Sequence, residues 1–402
     1  MTDLDVTLRP GTDGLLDLPW RTPLTEWPEA LLVDLPRGIS RHEVRFVQLP
    51  EQLVVVKELP ERAAVNDFSI LKALEDERVP SVTPLAVVTG RTDDPHEEAS
   101  SALVTRYEPY SYSYRQLIRG SGFGGWRNRM LDAFAGLLTE LHLIGLFWGD
   151  CSLSNVLYRI DAEAVMAIMV DAETASMHEE LTEGQREHDL SIMIENVAGG
   201  MADIAVADGK EVLDADLALG EDVADRYRAL WAELTEAQEI DPADRWLIGE
   251  RVRRLNELGF EVDELAVKKT TEGERLVLIP VVGNRNFHSQ RLRELTGLDV
   301  LEFQARQILS DLDYAIASGG GERHGAALSW RFNEFEPWLA KLADVEGVED
   351  PVQAYCDLLW FRFTRSTEDE RAIPTEEVFP EWIAAERPGY PLDPEEPPVP
   401  SL

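Results

Sequence analysis

His142-Leu-Ile-Gly-Leu-Phe-Trp-Gly-Asp150-Cys-Ser-Leu-Ser-Asn155-Val-Leu157, followed by Val170-Asp171-Ala-Glu173, spaces a carboxylate, an amide and a second carboxylate along one loop-and-hairpin segment. Asn155 stands five residues after Asp150, and Asp171 sixteen residues after Asn155. That second gap accommodates two short strands, 156–159 and 164–170, around a turn near Asp161. Upstream, Met130, Phe134, Leu137, Leu138, Leu141 and Ile144 fall on one stripe at helical period, predicting a helix over 127–144. Gly145 follows where a left-handed C-cap is expected. His142 closes that helix, and two roles stand open for it: orienting the next loop by hydrogen bonding, or packing in the core.

The spacing suits ATP-dependent phosphoryl transfer, which asks the protein for positioning and charge neutralisation rather than covalent chemistry. In protein kinases a catalytic-loop Asp accepts the acceptor hydroxyl's proton, an Asn binds Mg2+, and a later Asp holds metal over the phosphates. Asp150, Asn155 and Asp171 fit those three roles. The competing reading makes Gly149-Asp150 a plain turn with Asn155 as its local hydrogen-bond partner. The second Asp and the preceding helix favour phosphoryl transfer, with ATP and Mg2+ as cofactors. The acceptor is an unidentified hydroxyl-bearing molecule.

The preceding region then reads as a small nucleotide-binding lobe. Leu53 to Leu59 is a buried strand carrying Lys57, a candidate phosphate-contacting lysine. Residues 44–49 form the strand before it. A helix over 61–77 should bring an acid to Lys57: Asp67 is the first choice and Glu75 the second. Asp is one methylene shorter than the usual Glu, so the helix must lie closer. Residues 102–107 form another strand, with Tyr107 to Pro109 as the hinge beside the adenine. No Gly-x-Gly-x-x-Gly is present; Gly38 and Ser40, in 36–40, are the candidate phosphate-loop donors. The expected fold class is α+β, a two-lobed protein-kinase-like fold with a small antiparallel-sheet lobe, a large helical lobe and an additional C-terminal α+β unit. The expected divisions are an N-terminal extension (1–30), small lobe (31–109), large lobe (110–240), C-terminal domain (241–387) and disordered tail (388–402).

Departures from protein kinases are clear. Trp148-Gly149 replaces the His-Arg before the catalytic Asp, Ala172-Glu173 replaces Phe-Gly after the metal Asp, and no Ala-Pro-Glu segment follows. Glu187-His188-Asp189-Leu190 instead suggests a buried helix capped by Asp189. The order of Lys57, Leu141-His142-x-x-Gly145, Gly149-Asp150, Asn155, Asp171 and His188-Asp189-Leu190 resembles the lipopolysaccharide-kinase-like and aminoglycoside-phosphotransferase-like branch of the kinase superfamily. Residues 147–155, 170–174 and 195–200 look like a bacterial family that joins such a region to a C-terminal domain of unknown function 4032. The resemblance implies a kinase-like fold with an ATP cleft and no particular substrate. Glu173, beside the metal Asp, is either a further metal-directed carboxylate or a surface acid.

Composition bounds the remainder. The chain has 402 residues, 44% of them hydrophobic, enough to bury cores in two or three domains. A formal charge of −38 repels nucleic-acid phosphates and anionic membranes, and disfavours nucleic acid as a partner. The acidic start lacks a signal-peptide core, and no run approaches the roughly eighteen apolar residues of a membrane span. Two cysteines, Cys151 and Cys356, fit a reduced cytoplasm. Cys151 is either reactive or a small packed residue.

After an acidic, helical stretch over 203–240, the C-terminal unit is expected to hold a helix over 245–258 and a hairpin of 262–270 with 275–282. Helices over 288–295, 299–317, 329–343 and 351–364 should follow. Residues 284–293 concentrate basic side chains, including Arg285, His288, Arg291 and Arg293, in an acidic protein; they bind an anion or pair with acids of a neighbouring domain. Three functions remain open: a phosphotransferase acting on a hydroxyl of a small molecule, sugar or glycolipid, a pseudokinase scaffold, and a nucleic-acid-linked regulator.

Overall fold

The computed structural model of the chain describes residues 3–35, 41–50, 52–117, 127–162, 164–207, 209–269, 276–319 and 323–390. Two compact units emerge: Met1–Arg159 with Met166–Leu230, and Ile160–Val165 with Trp231–Leu402.

The first unit opens with β1 (Asp5–Leu8), β2 (Leu32–Val33), β3 (Val44–Gln48), β4 (Leu53–Leu59), α1 (Glu61–Asp76), β5 (Pro84–Thr89) and β6 (Ser101–Arg106). Its six strands lie in the order β1-β5-β6-β4-β3-β2, with every neighbour antiparallel. Central β4 alternates around Val54, Val56 and Lys57, so one face meets the core while Lys57 is presented on the other.

Residues 1–30, expected as an extension, are part of this lobe. β1 pairs with β5, and Leu15, Trp20, Leu24 and Trp27 join the core beneath Val54 and Val104. A buried ion pair locks them there. Arg91 Nη2 lies 2.6 Å from Glu58 Oε1, and the guanidinium also donates to the carbonyls of Trp20 and Thr22. Glu58 in turn accepts from Leu24 N at 2.9 Å. A buried pair is tolerable only when its remaining hydrogen bonds are satisfied, and here main-chain groups do so.

The helical lobe follows with β7 (Ser111–Ser113), α2 (Tyr114–Leu117), α3 (Arg127–Leu143), β8 (Leu146–Phe147), β9 (Val156–Asp161), β10 (Ala164–Met169), β11 (Ser176–Met177), α4 (Glu183–Ala207), α5 (Asp214–Leu217) and α6 (Leu219–Thr235). Helix α3 buries Met130, Phe134, Leu137, Leu138 and Leu141, the stripe anticipated from the sequence. Gly145 ends it at φ +81°, where a Cβ would overlap the His178 carbonyl oxygen. Asp189, expected as an N-cap, lies instead inside α4, which starts six residues earlier. Among the described residues one helix, α4, is long and apolar enough to cross a membrane by length and composition, longer than the sequence reading anticipated. Here its stripe of Leu190, Met193, Val197 and Met201 is buried in the unit.

The second unit contains β12 (Gln238–Ile240), α7 (Trp246–Glu257), β13 (Val262–Lys269), β14 (Leu276–Val282), α8 (Phe287–Thr296), α9 (Glu302–Gly319), α10 (Arg323–Trp330), a π-helical turn (Arg331–Phe335), α11 (Glu336–Ala343), α12 (Pro351–Glu368) and α13 (Thr375–Ala384). Its sheet has the order β12-β14-β13, and Trp330, Phe335, Trp338, Tyr355, Leu358 and Trp382 lie at the helical core. The expected helix over 329–343 is broken by the π-turn. The tail's first residues pack rather than stand apart: Trp382 Nε1 donates to Pro388 O at 3.0 Å, and Tyr390 packs edge-on to Trp360. The rest of the expected tail, 391–402, lies outside the described residues.

Among the described residues, Arg291, Arg293 and His288 of the basic cluster pair with acids of their own unit. Arg291 pairs with Glu294, and Arg293 with Asp299. The Arg285 guanidinium lies over Phe260 and Phe303 and donates to Leu258 O. The Glu302 carboxylate accepts from His288 N and Ser289 N and lies 2.6 Å from His288 Nδ1.

Candidate active site

Strand β4, helix α1 and the loop after β10 converge on Lys57. Its Nζ lies 2.7 Å from Asp171 Oδ2, 3.2 Å from Asp67 Oδ2 and 3.8 Å from Glu173 Oε2. Asp67 is fully buried, so α1 does lie close enough for the shorter side chain. Burial pushes the Asp67 carboxyl up to about 7; the Lys57 ammonium and Ala172 N–H pull it down, and the Asp171 charge pushes it up. Glu75, the second candidate, is elsewhere and pairs with Arg9.

Asp150 and Asn155 sit in the loop between β8 and β9. Asn155 Nδ2 donates to Asp150 O at 2.8 Å, closing the five-residue step as a ring. The carboxylate of Asp150 accepts from Asn196 Nδ2 at 3.1 Å, and the same amide nitrogen donates to Cys151 O at 3.2 Å. Cys151 is fully buried and its thiol is pushed well up by that burial, which makes it a packed residue rather than a reactive one.

Asp189 fixes the path of this loop. Its two carboxylate oxygens accept from Trp148 N and Gly149 N, both at 2.8 Å, and one lies 3.1 Å from His142 Nε2. His142 Nδ1 lies 2.7 Å from the Tyr227 hydroxyl. His142 is therefore both buried in the core and coupled to the loop through Asp189. Gly149, at φ +80°, makes the turn that delivers Asp150.

Three hydrogen bonds stitch this loop to the one carrying Asp171. Trp148 Nε1 donates to Asp171 O at 2.9 Å, Thr174 Oγ1 to Trp148 O at 3.0 Å, and Val170 N to Asn155 O at 3.1 Å. The structure thus joins Lys57, Asp67 and Asp171 directly, and links Asp150 and Asn155 to them through main chain. Tyr107 directly follows β6, its N–H donating to Leu53 O and its ring packing edge-on to Phe46. Gly38 and Ser40 lie outside the described residues.

Glu173 is no surface acid: its side chain is 4% exposed. Arg41 pairs with its Oε1, and His42 Nε2 comes within 3.0 Å of Oε2. His42 Nε2 accepts from Arg41 Nε and so does not donate to Glu173, whose Oε2 is buried without a hydrogen bond. Burial and the Lys57 charge hold His42 below its usual range.

The donor set fits a hard divalent cation. Asp67, Asp171 and Glu173 place three carboxylates around one ammonium. Asn155 uses its amide nitrogen internally, so its carboxamide oxygen has no protein donor among the described residues. Oxygen-rich, anion-excess sites of this kind suit Mg2+ accompanied by phosphate. Among the described residues no cluster of three or more His, Cys, Asp or Glu is arranged to hold a metal alone, and Asp171 with Asn155 are the residues that would hold one.

Asn66, Arg41 and His42 escaped the sequence reading, and Asn196 entered it only within the family-like stretch 195–200, with no role at the site. Asn196 follows Asp189 by seven residues, two helical turns, so both face the loop; that period was a usable signal. Nothing in the sequence marks the others.

Residues 46–215 match the lipopolysaccharide kinase (Kdo/WaaP) family, and residues 229–386 match a domain of unknown function, DUF4032. No curated protein matches the chain. Similar solved structures include WaaP in complex with acyl carrier protein, at 15% identity and TM-score 0.37, covering 63% of this chain and 98% of that one. The Rio2 kinase from Chaetomium thermophilum, in an ADP/Mg2+-phosphoaspartate complex, is similar at 16% identity and TM-score 0.32, over 49% of this chain and 69% of its own. A type VIII aminoglycoside-3'-phosphotransferase is similar at 14% identity and TM-score 0.31, over 49% and 93%. Residues 46–215 are thus similar to the lipopolysaccharide kinase (Kdo/WaaP) family, and residues 229–386 to DUF4032.

Proposed function

We propose that the protein is an ATP- and Mg2+-dependent phosphotransferase acting on a hydroxyl of a sugar, glycolipid or other small molecule. The observation that carries this reading is Lys57 Nζ, held 3.2 Å from Asp67 and 2.7 Å from Asp171 beside a loop presenting Asp150. The kinase family matched by residues 46–215 supports phosphoryl transfer, and its description supports a sugar-bearing acceptor.

In this reading Lys57 leaves Asp171 to contact nucleotide phosphate, while Asp67 keeps the ammonium aimed. Asp171 and Asn155 would hold the Mg2+, which would supply charge neutralisation at the phosphate oxygens. Tyr107 and the chain after it border the adenine. Asp150 orients the acceptor hydroxyl and takes its proton as the oxygen attacks the γ-phosphorus; the bond to the bridging oxygen breaks and ADP leaves. Asn196 holds Asp150 in place from α4.

The test is transfer from γ-labelled ATP across a panel of sugar, glycolipid and small-alcohol acceptors, with wild type and Asp150→Asn side by side. Loss of a positioned general base should lower transfer by roughly 10²–10⁴-fold. Equal transfer by the variant overturns the role of Asp150 as the base, and nucleotide bound with no transfer to any acceptor contradicts the proposal and favours a scaffold.

A further inference from the structure

The loop that carries Asp171 is gripped from α1 by two adjacent side chains of opposite hydrogen-bonding sense. Asn66 Nδ2 donates to the carbonyl oxygens of Glu173 at 2.9 Å, Ala175 at 3.0 Å and Ala172 at 3.3 Å. Asp67 Oδ1 accepts from Ala172 N at 3.0 Å. A carboxamide nitrogen carries two N–H groups, so three converging carbonyls are more than it needs. The loop has turned its acceptors toward this one side chain. Its own closure comes from Ala175 N donating to Ala172 O at 3.0 Å.

Where protein kinases carry Phe after the metal Asp, the packing of that ring sets whether the loop is in its active place. Ala172 occupies this position here, buried but offering only a methyl group. A methyl cannot anchor a loop as an aromatic ring does, because both its buried area and its contacts are small. Yet Asp171 and Glu173 are both held against Lys57.

We propose that Asn66 is a positioning residue that takes over from the missing aromatic: its hydrogen bonds hold the 172–175 carbonyls so that Asp171 faces the nucleotide-metal site, and so set the site's affinity for the divalent cation. The inference rests on the phosphotransferase reading above. A purely structural Asn66 would contribute to the melting temperature of the unliganded protein and nothing more. A positioning Asn66 changes how much Mg2+ is needed to bind nucleotide, because the metal-holding carboxylate is no longer pre-set.

The full-length chain should be titrated with Mg2+ at fixed ADP while its melting temperature is followed, for wild type and Asn66→Leu, a variant of similar shape without the donor. A ligand bound only to the folded state raises that temperature by mass action. Asn66→Leu should need about tenfold more Mg2+ for the half-maximal shift, the scale expected for lost hydrogen bonds. Its response to ADP without Mg2+ should match wild type. A wild-type response combined with an unchanged Mg2+ midpoint in Asn66→Leu overturns the role of Asn66 while leaving the phosphotransferase reading in place. A wild type that does not respond to Mg-ADP overturns both. Should Asn66→Leu not fold, Asn66→Ser is read by the same midpoint.

Discussion

Asp189 shows how one side chain can shape a site it does not enter. Its carboxylate is buried and satisfies two main-chain N–H groups ahead of Asp150. Asp189→Ala would leave both donors buried without acceptors, at about 1–3 kcal/mol each. Urea denaturation should therefore show a loss of roughly 2–5 kcal/mol, and Asp189→Asn a smaller one because one oxygen remains. The sequence drew attention to Asp189 as an acid near a helix start, the usual sign of an N-cap. Six earlier residues proved helical, so the same acid faces inward and caps a loop instead. A second residue-scale prediction concerns Asp357 on α12, whose carboxyl is pushed up to about 6, chiefly by burial, against the hydrogen bond from Gln353 and with the Asp350 charge adding to the rise. The folded state then binds a proton that the unfolded chain has already released between about pH 4 and 6. Stability should fall as pH rises through that window, by roughly 3 kcal/mol at most, and stay low above it. Asp357→Asn should flatten that part of the pH profile. An unchanged slope would place the titrating group elsewhere.

Elements were legible wherever they were long and periodic. The core strands β4 and β6 and the helices α1 and α3 fall within a residue or two of the sequence reading, because buried faces repeat often enough to be counted. Short elements left no such signal: β1 has four residues and β12 three. Helix α13 was hidden by Pro380 inside it and Pro374 before it, which read as breakers. Lys57, Asp67, Asp150, Asn155 and Asp171 could be chosen from spacing alone, since kinase-like chemistry fixes their order along the chain. Partners reached only by folding, such as Asn66 on the Asp171 loop, could not. At this scale Gly145 is the sharpest test, because the turn after α3 needs both its positive φ and its missing Cβ. Gly145→Ala should destabilise the protein by about 1–3 kcal/mol in a denaturant melt. A neutral result would mean that the α3–β8 turn can relax without moving the catalytic loop.

For the whole molecule, a formal charge of −38 is the dominant fact. Many basic side chains are committed to ion pairs, as Arg291 and Arg293 show, and with 76 acids against 38 basic residues the surplus acid repels itself across the surface. Screening shortens the reach of that repulsion from about 30 Å at 0.01 M salt to about 10 Å at 0.1 M. The melting temperature should therefore rise with added NaCl, and one that fell would mean that surface ion pairs outweigh the repulsion. On the proposed function, such a field would oppose an incoming nucleoside triphosphate, and Mg2+ bound to its phosphates would offset part of that repulsion. The central claim, a metal-nucleotide site at Asp171 and Lys57, is tested most directly by the melting temperature of wild type and Asp171→Asn with millimolar ATP, with and without Mg2+. The account predicts a Mg2+-dependent rise in wild type that is lost or much reduced in Asp171→Asn. No rise in wild type, or an equal rise in both proteins, would contradict it.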